Sequence, residues 1–411
     1  MLTRKSIKSI QNMLNETETY LSNIFDKELN TVSKGAYTQA RANIKYEAFK
    51  ELETDVRDKF YIDYDYNRFK GYRLLAIDGS IITLPNNEET RKEFDTTKVS
   101  NQYKDKDKNI VQARVSLLYD VLNNIIVDST ITHSKMHEIK IATNTHLSQV
   151  KKDDLIIFDR GYLSYELFAR IIHKTNADFV ARVKRGVYKK YTDKLFDKNS
   201  KVTDTTITLT PSTKEANKVC KEHNLPKSIK IRFVQVILDN GDVEVLATSV
   251  LDKTVISTKE FKELYFNRWK IETYYDIMKN RLSLENFSGT TVLSIKQDFY
   301  ATMFISNLES VLSHGLDEEL KDEKKSKKRK YSQKVNKSVS FNTIKNYAFD
   351  LFFLPDKDIA KTLDKIHKQL RTNLVAIRPN RHYNRPNNKE SKNTKGIKSV
   401  NFQKRKKKSG F

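Results

Sequence analysis

Four polar residues of different chemistry lie along one C-terminal stretch of the sequence. Arg268, Glu272 and Lys279 follow Tyr265 at distances of 3, 7 and 14 residues. On a helix with about 100° per residue, these side chains share one stripe about 60° wide, and the sequence predicts a helix over 258–282. Two interpretations are open. The stripe is either a solvated helix face with an Arg268–Glu272 ion pair, or a phosphate-binding face with one carboxylate for a divalent metal.

Two aspartates follow apolar runs that predict buried strands. Asp78 comes after residues 74–77 and Asp159 after residues 155–158, and a glycine follows each aspartate within two residues. An aspartate at a strand end is often only a turn or capping residue. Strand ends of open α/β sheets are, however, also where functional sites assemble. Together with the helix glutamate, the two aspartates provide three hard oxygen ligands of the kind that suits Mg²⁺ or Mn²⁺.

Two further acids compete for the same role. Asp120 and Asp128 flank a predicted hairpin. Acids at hairpin ends are usually solvated, and neither residue is followed by a glycine. We therefore rank them below Asp78 and Asp159.

The elements that must position these residues alternate between strands and helices. Apolar runs predict strands over 73–84, 113–119, 125–131, 155–159 and 178–183, and helices over 138–150 and 164–173. This order is typical of a mixed sheet covered by helices, so the predicted fold class is α/β. A polar, β-rich stretch follows over 184–250, with a hairpin signal at Asn240-Gly241. The stretches 1–60 and 295–314 predict helices.

The spacing of the C-terminal stripe resembles a known signature. Tyr265-x2-Arg268-x3-Glu272-x6-Lys279 matches the Y-R-E-K motif of DDE transposases from bacterial insertion sequences of the IS-four family. The similarity covers about residues 30–385. Three further segments resemble that family: Ile77-Asp78-Gly79-Ser80, Phe158-Asp159-Arg160-Gly161-Tyr162 and Ala36-Tyr37-Thr38-Gln39-Ala40-Arg41.

The resemblance implies a particular organisation of the chain. We expect an RNase H-like mixed-sheet catalytic core, interrupted by a β-rich insertion, with helical N-terminal and C-terminal regions. The implied parts are a helical N-terminal DNA-binding region over 1–70, the first part of the core over 71–184, the insertion over 185–250, the second part of the core with the glutamate helix over 251–315, and a basic C-terminal region over 316–411.

The resemblance also implies a role for each candidate residue. Asp78, Asp159 and Glu272 would be the catalytic residues and the ligands of two Mg²⁺ ions, for which Mn²⁺ can substitute. Because this chemistry needs no covalent protein–DNA intermediate, Tyr265 would position the site and not act as a nucleophile. The residues implied to bind DNA are Tyr265, Arg268, Lys279, Arg160 and Trp269.

The implied function is that of a DNA transposase of an insertion sequence. It would bind the terminal inverted repeats in double-stranded DNA, cleave the strands and transfer them into target DNA, as a homodimer in the synaptic complex. Two alternatives stay open: a catalytically inactive or domesticated DNA-binding homologue, and an RNase H-like nuclease without strand transfer. With one cysteine and no apolar run of about 18 residues, we expect no membrane partner and a place in the bacterial cytoplasm, at the nucleoid.

The net charge of +24 supports a nucleic acid partner, but it is unevenly distributed. Residues 324–337 contain eight Lys and Arg and no acid, and residues 378–411 contain twelve against one glutamate. These two segments carry +8 and +11, which leaves only +5 for the other 363 residues. We expect such charge runs to be solvated tails that add affinity for DNA independent of sequence, through counterion release.

This distribution predicts the effect of a truncation. Deletion of 387–411 removes nine Lys and Arg, so it should weaken DNA binding and reduce the slope of log K against log salt concentration, because fewer phosphate counterions are released. Fluorescence anisotropy titrations at several salt concentrations measure both effects. A truncated chain with the slope of the full chain would contradict this division of roles.

Overall fold

The computed structural model describes residues 9–99, 108–316, 319–320, 322–323 and 330–378. Its contacts divide the chain into two compact units. We call 61–81 with 113–276 the sheet unit, and 1–60 with 82–112 and 277–411 the helical unit. Most of the two basic segments lies outside the described residues. Within the described residues, no helix has both the length and the apolar character needed to cross a membrane.

The strands belong to one large sheet and one small one. The large sheet contains β1 Arg73–Thr83, β2 Thr96–Val99, β3 Lys108–Asp120, β4 Ile125–His133, β5 Asp154–Phe158, β6 Asp178–Arg182, β7 Asp204–Leu209, β8 Ile229–Ile237 and β9 Val243–Thr248. The small antiparallel sheet pairs β10 Ser332–Val335 with β11 Leu374–Ile377.

The longer helices alternate with these strands or flank them. In chain order they are α1 Ile10–Phe25, α2 Lys34–Ala42, α3 Glu47–Asp63, α4 Glu88–Phe94, α5 Glu138–Asn144, α6 Tyr165–Arg170, α7 Lys189–Thr192, α8 Lys214–Glu222, α9 Phe261–Phe266, α10 Trp269–Asn280, α11 Val292–Leu312, α12 Lys337–Phe353 and α13 Asp356–Thr372.

In the sheet unit the strand order is β4-β3-β1-β5-β6-β9-β8-β7. β5 pairs in parallel with β1 on one side and with β6 on the other, and the strands from β6 through β9 and β8 to β7 pair antiparallel. The mixed α/β class predicted from the sequence is therefore confirmed. Both hairpin predictions are also confirmed, since β3 and β4 are antiparallel and Asn124 and Gly241 adopt the positive φ that tight turns require.

A buried ion pair sets the register of the two central parallel strands. Arg73 at the start of β1 lies opposite Asp154 at the start of β5. Its Nε and Nη2 atoms donate to the two Asp154 carboxylate oxygens, each at 2.7 Å. Such a two-point contact fixes direction as well as distance. The register continues to Ala76 opposite Ile157, and two residues further along it Asp78 is level with Asp159.

The core of the sheet unit lies between the sheet and its helices. Leu75, Ile77 and Ile156 are fully or almost fully buried, as expected for central strands covered on both faces. Phe168 of α6 stacks on Phe179 of β6, with ring centroids 4.0 Å apart. This packing holds α6 directly behind the strands that carry the candidate residues.

The helical unit contains a buried polar network and its own small core. Arg41 of α2 donates to Gln297 and Asp298 of α11 and to Ser288. The arginine of the N-terminal motif therefore forms hydrogen bonds within this unit. Leu316, Leu320, Val335, Ile366 and Leu370 form its separate apolar cluster.

Some boundaries differ from the prediction. The helix predicted over 138–150 ends at Asn144 and continues only as a 3-10 turn over His146–Gln149.

Asp120, expected to be solvated at the hairpin end, is fully buried. Its carboxylate accepts from the Tyr61 hydroxyl, from the backbone N–H groups of Leu122 and Asn123 and from the Asn123 amide. The acid therefore organises the hairpin from inside.

This burial makes Asp120 a stability residue. Asp120→Ala should leave several buried donors unpaired and lower the free energy of unfolding by about 3 kcal/mol. Urea denaturation followed by circular dichroism measures the change. Asp239→Ala is the matched control, because Asp239 is an almost fully exposed acid near the other hairpin. Equal unfolding midpoints for the two variants would contradict this role.

Candidate active site

Asp78 lies inside a strand, not at its end. β1 runs without interruption through Asp78, Gly79 and Ser80. Gly79 does not have a positive φ. It is instead a point of close approach, because a Cβ atom at this position would lie 2.9 Å from Oε1 of Glu138.

The backbone of Asp78 is held from two directions. Its carbonyl oxygen accepts from the Tyr275 hydroxyl at 2.8 Å and from Ser116 Oγ at 3.4 Å. Ser116 in turn contacts Nε2 of His146 at 2.9 Å, and Nδ1 of His146 contacts Asp128 at 2.8 Å. Because these three side chains are buried, Asp128 is not the solvated hairpin acid that the sequence predicted. It ends a hydrogen-bonded chain beneath Asp78.

Asp159 follows β5 directly, as predicted. It caps a single 3-10 turn over Arg160–Tyr162 and accepts from the backbone N–H of Arg160. Arg182 Nη2, at the end of β6, donates to Asp159 Oδ1 at 3.0 Å. The other terminal nitrogen of Arg182 donates to Glu244 of β9 at 2.8 Å. One guanidinium thus links the second aspartate to the β-rich segment.

The single helix predicted over 258–282 is wrong, because it is broken into α9 and α10. The N–H of Arg268 donates to the Tyr265 carbonyl at 3.0 Å, and that of Ile271 to the Arg268 carbonyl at 3.2 Å. These i→i−3 bonds tighten the chain to about three residues per turn. Tyr265 therefore lies on α9 and Glu272 on α10, and Arg268 contacts both, with its guanidinium 5.7 Å from the Tyr265 ring centroid and an ion pair to Glu272.

The break buries two residues that the sequence placed on a polar face. Arg268 is 3% exposed and donates through Nη1 to Glu272 Oε1 at 2.8 Å. Its guanidinium lies over the Trp269 ring, 4.9 Å from the centroid. Tyr265 is also buried, and its hydroxyl donates to the Phe158 carbonyl at 3.2 Å, next to Asp159. The Arg268–Glu272 ion pair of the first interpretation is thus present, but its arginine is buried and not solvated.

The charged groups of the site affect one another's pKa values. Burial raises the pKa of Asp78 to about 7, the backbone N–H of Gly79 opposes this effect, and the negative charges of Glu138 and Glu272 reinforce it. Arg268 interacts with the charges of Asp78, Glu272 and Asp159. All three acids that the sequence analysis proposed as metal ligands therefore lie within electrostatic range of this one arginine.

Three residues beside these acids have no role in the sequence analysis: Glu138, Tyr162 and Arg182. Tyr162 is 1% exposed, and its hydroxyl has no hydrogen-bond partner among the described residues. Burial raises the pKa of Tyr162 well above its usual value, and the charges of Glu138 and Asp78 act in the same direction. Tyr162 does lie in the segment that resembles the transposase family, whereas no local pattern marks Glu138 or Arg182.

The remaining predicted DNA-binding residues differ in their surroundings. Arg160 is exposed beside Asp159, and Trp269 is 38% exposed at the start of α10. Lys279 lies near the end of α10, in the part of that helix that belongs to the helical unit. Burial lowers the pKa of Lys279, and the charge of Glu285 partly opposes this effect.

The chemistry of the donor set fits a hard divalent cation. All its candidate ligands are carboxylate oxygens, which Mg²⁺ prefers. Among the described residues, no three His, Cys, Asp or Glu side chains are gathered closely enough to hold a metal ion, and both Asp159 and Glu272 already accept from arginines. The pKa of Asp78 is raised, and the Tyr162 hydroxyl has no hydrogen-bond partner among the described residues. The side chains of the site therefore compensate the negative charge of Asp78 and the polarity of Tyr162 only in part.

The pKa of Asp78 predicts a pH dependence of stability. Because the folded-state pKa of about 7 exceeds the usual value of about 3.9 in the unfolded chain, the folded state binds the extra proton between these values and loses stability as the pH rises through them. Between pH 5 and pH 8, the free energy of unfolding should therefore fall by about 2–3 kcal/mol less in Asp78→Asn than in the wild type. Urea unfolding in the presence of a chelator measures this difference. Asp276→Asn is the control, and equal pH slopes for all three proteins would contradict the assignment.

Comparison with known proteins connects this site to a family. Residues 69–308, well over half of the chain and including Asp78, Asp159 and Glu272, match the family described as the transposase DDE domain. No curated protein matches the chain in sequence. A cryo-EM structure of the piggyBac transposase synaptic complex with hairpin DNA has 11% identity and a TM-score of 0.42, covering 89% of this chain and 73% of that one, a similarity too weak to assign a fold. The extent of the sequence match shows that the chain belongs to the transposase DDE domain family.

Proposed function

We propose that this transposase binds the terminal inverted repeats of its own insertion sequence, cleaves the DNA strands in a metal-dependent reaction and transfers them into target DNA. The observation that carries the proposal is the position of Asp78, Asp159 and Glu272 within electrostatic range of one buried arginine, inside the segment that matches the family. Membership of the IS-four group, with Tyr265, Arg268, Glu272 and Lys279 as its Y-R-E-K motif, is part of this proposal.

The sheet supports an RNase H-like core as part of the same proposal. Its central order, β4-β3-β1-β5-β6, has the parallel pair β1 and β5 in the middle. The segment 185–250 supplies β7, β8 and β9, and it would be the insertion that precedes the glutamate helix. The other boundaries are proposed as predicted, with a helical DNA-binding region over 1–70, core parts over 71–184 and 251–315, and a basic region over 316–411.

Asp78, Asp159 and Glu272 would hold two Mg²⁺ ions, or Mn²⁺ in their place. Bound there, the ions would supply Lewis acidity for the attacking water or 3′-hydroxyl and for the leaving oxygen. Tyr265 acts through its hydrogen bond to the Phe158 carbonyl, which ties α9 to the end of β5. This bond supports the proposed role of Tyr265 as a positioning residue and not a nucleophile.

Arginines of the site would provide the contacts to phosphate. Arg268 carries the planar guanidinium that suits bidentate phosphate binding, but at 3% exposure and paired with Glu272 it would meet only a group that enters the site. Arg182 and the exposed Arg160 flank Asp159. Trp269 and Lys279 complete the proposed DNA-binding set. The partners would be double-stranded DNA and a second copy of the chain in the synaptic complex, at the bacterial nucleoid.

A single substitution tests the catalytic part of the proposal. Glu272→Gln removes a negative charge while preserving shape, so DNA nicking and joining with Mg²⁺ should fall at least about 1000-fold, with DNA affinity changed less than about threefold. A labelled duplex that carries the inverted repeats flanking the gene is the substrate. Asp276→Asn, on the exposed side of the same helix, should retain activity.

The same assay separates the two alternatives. A wild-type chain that binds the duplex but neither nicks nor joins it with Mg²⁺ or Mn²⁺ would be an inactive homologue. Cleavage without joined products would identify a nuclease without strand transfer. Full activity of Glu272→Gln would show that the acid assignment is wrong.

A further inference from the structure

Glu138 lies against the strand that carries the first aspartate. It is the first residue of α5, just after β4, and its carboxylate reaches over Gly79. A Cβ atom at Gly79 would lie 2.9 Å from Oε1 of Glu138, and one at Gly161 would lie 3.9 Å from Oε2. The two oxygens of one carboxylate therefore face the glycine after Asp78 and the glycine after Asp159. This acid therefore lies beside the backbone that follows each of the two aspartates.

Glu138 has the same kind of partner as two other acids of the proposed site. Arg114 of β3 forms an ion pair with Glu138 Oε1 and also donates to the Ser134 carbonyl. Asp159 is paired with Arg182 and Glu272 with Arg268. Three acids of the site thus each accept from a guanidinium of the protein, while Asp78 accepts from the backbone N–H of Gly79.

The Tyr162 hydroxyl is an independent sign that something is bound beside Glu138. It is buried without a hydrogen-bond partner among the described residues, and the charges that act on it most strongly after burial are those of Glu138 and Asp78. A buried hydroxyl without a partner costs about 1–3 kcal/mol. A polar group or ion held by these acids would remove that cost.

We propose that Glu138 is a fourth carboxylate of the active site, which contacts the divalent cation bound by Asp78, and that Gly79 is present because this contact leaves no room for a side chain. The proposal rests on the proposed metal-dependent function. It differs from a purely structural Glu138–Arg114 pair, which would contribute to folding and leave metal affinity unchanged.

Calorimetric titration of Mn²⁺ into the full chain, without DNA, tests the proposal independently of activity. Glu138→Gln should weaken Mn²⁺ binding about tenfold or more, and Asp78→Asn should weaken it at least as much. Glu166→Gln is the matched control, because Glu166 also pairs with an arginine, Arg170, on α6, and it should bind Mn²⁺ like the wild type. Thermal unfolding of each variant establishes that it is folded.

A second substitution approaches the same contact from the strand. Gly79→Ala should displace the Glu138 carboxylate and weaken Mn²⁺ binding, and combining it with Glu138→Gln should add little, because both changes remove one interaction. Fully additive losses would overturn the proposal.

Two further outcomes are distinct. Wild-type affinity in Glu138→Gln with loss in Asp78→Asn would overturn the role of Glu138 and leave the proposed function standing. Wild-type affinity in both would overturn the metal site itself, and with it both proposals.

Discussion

The parallel register of β1 and β5 is the constraint on which the site depends. Arg73 and Asp154 fix this register at the buried start of both strands. In a fixed parallel register, residues that are equally far along two neighbouring strands lie side by side, and the strands are about 4.8 Å apart. Asp78 and Asp159 are five residues beyond Arg73 and Asp154 respectively. A slip of one residue would send one of the two carboxylates to the opposite face of the sheet.

Charge compensation by arginine is the second general feature of the site. Arg114, Arg182 and Arg268 come from β3, β6 and the break between α9 and α10, and each pairs with a different acid. Repulsion between carboxylates brought this close would otherwise oppose folding. Guanidinium groups also suit phosphate, so the proposed DNA contacts would use groups that already stabilise the folded protein.

Local patterns were sufficient to predict much of the fold. The strand ending at Phe158, the hairpin at Asn124 and the hairpin at Gly241 depend on short-range preferences, and the structure contains all three. The break lies beside Arg268, which is buried within the sheet unit, and a helical wheel contains no information on such burial. Glu138 was not found for a related reason, since its proximity to Gly79 arises only when β1 and α5 are packed together.

The two hydrogen bonds on the Asp78 carbonyl have a consequence for stiffness. Tyr275 lies three residues beyond Glu272 on α10, so the first aspartate and the glutamate are fastened to each other through backbone and helix. The buried chain through Ser116 and His146 braces the same point. Asp159 instead sits on one short turn beside an exposed arginine. We therefore expect the side of the site that carries Asp78 and Glu272 to be the stiffer one and the Asp159 side to be the more adjustable.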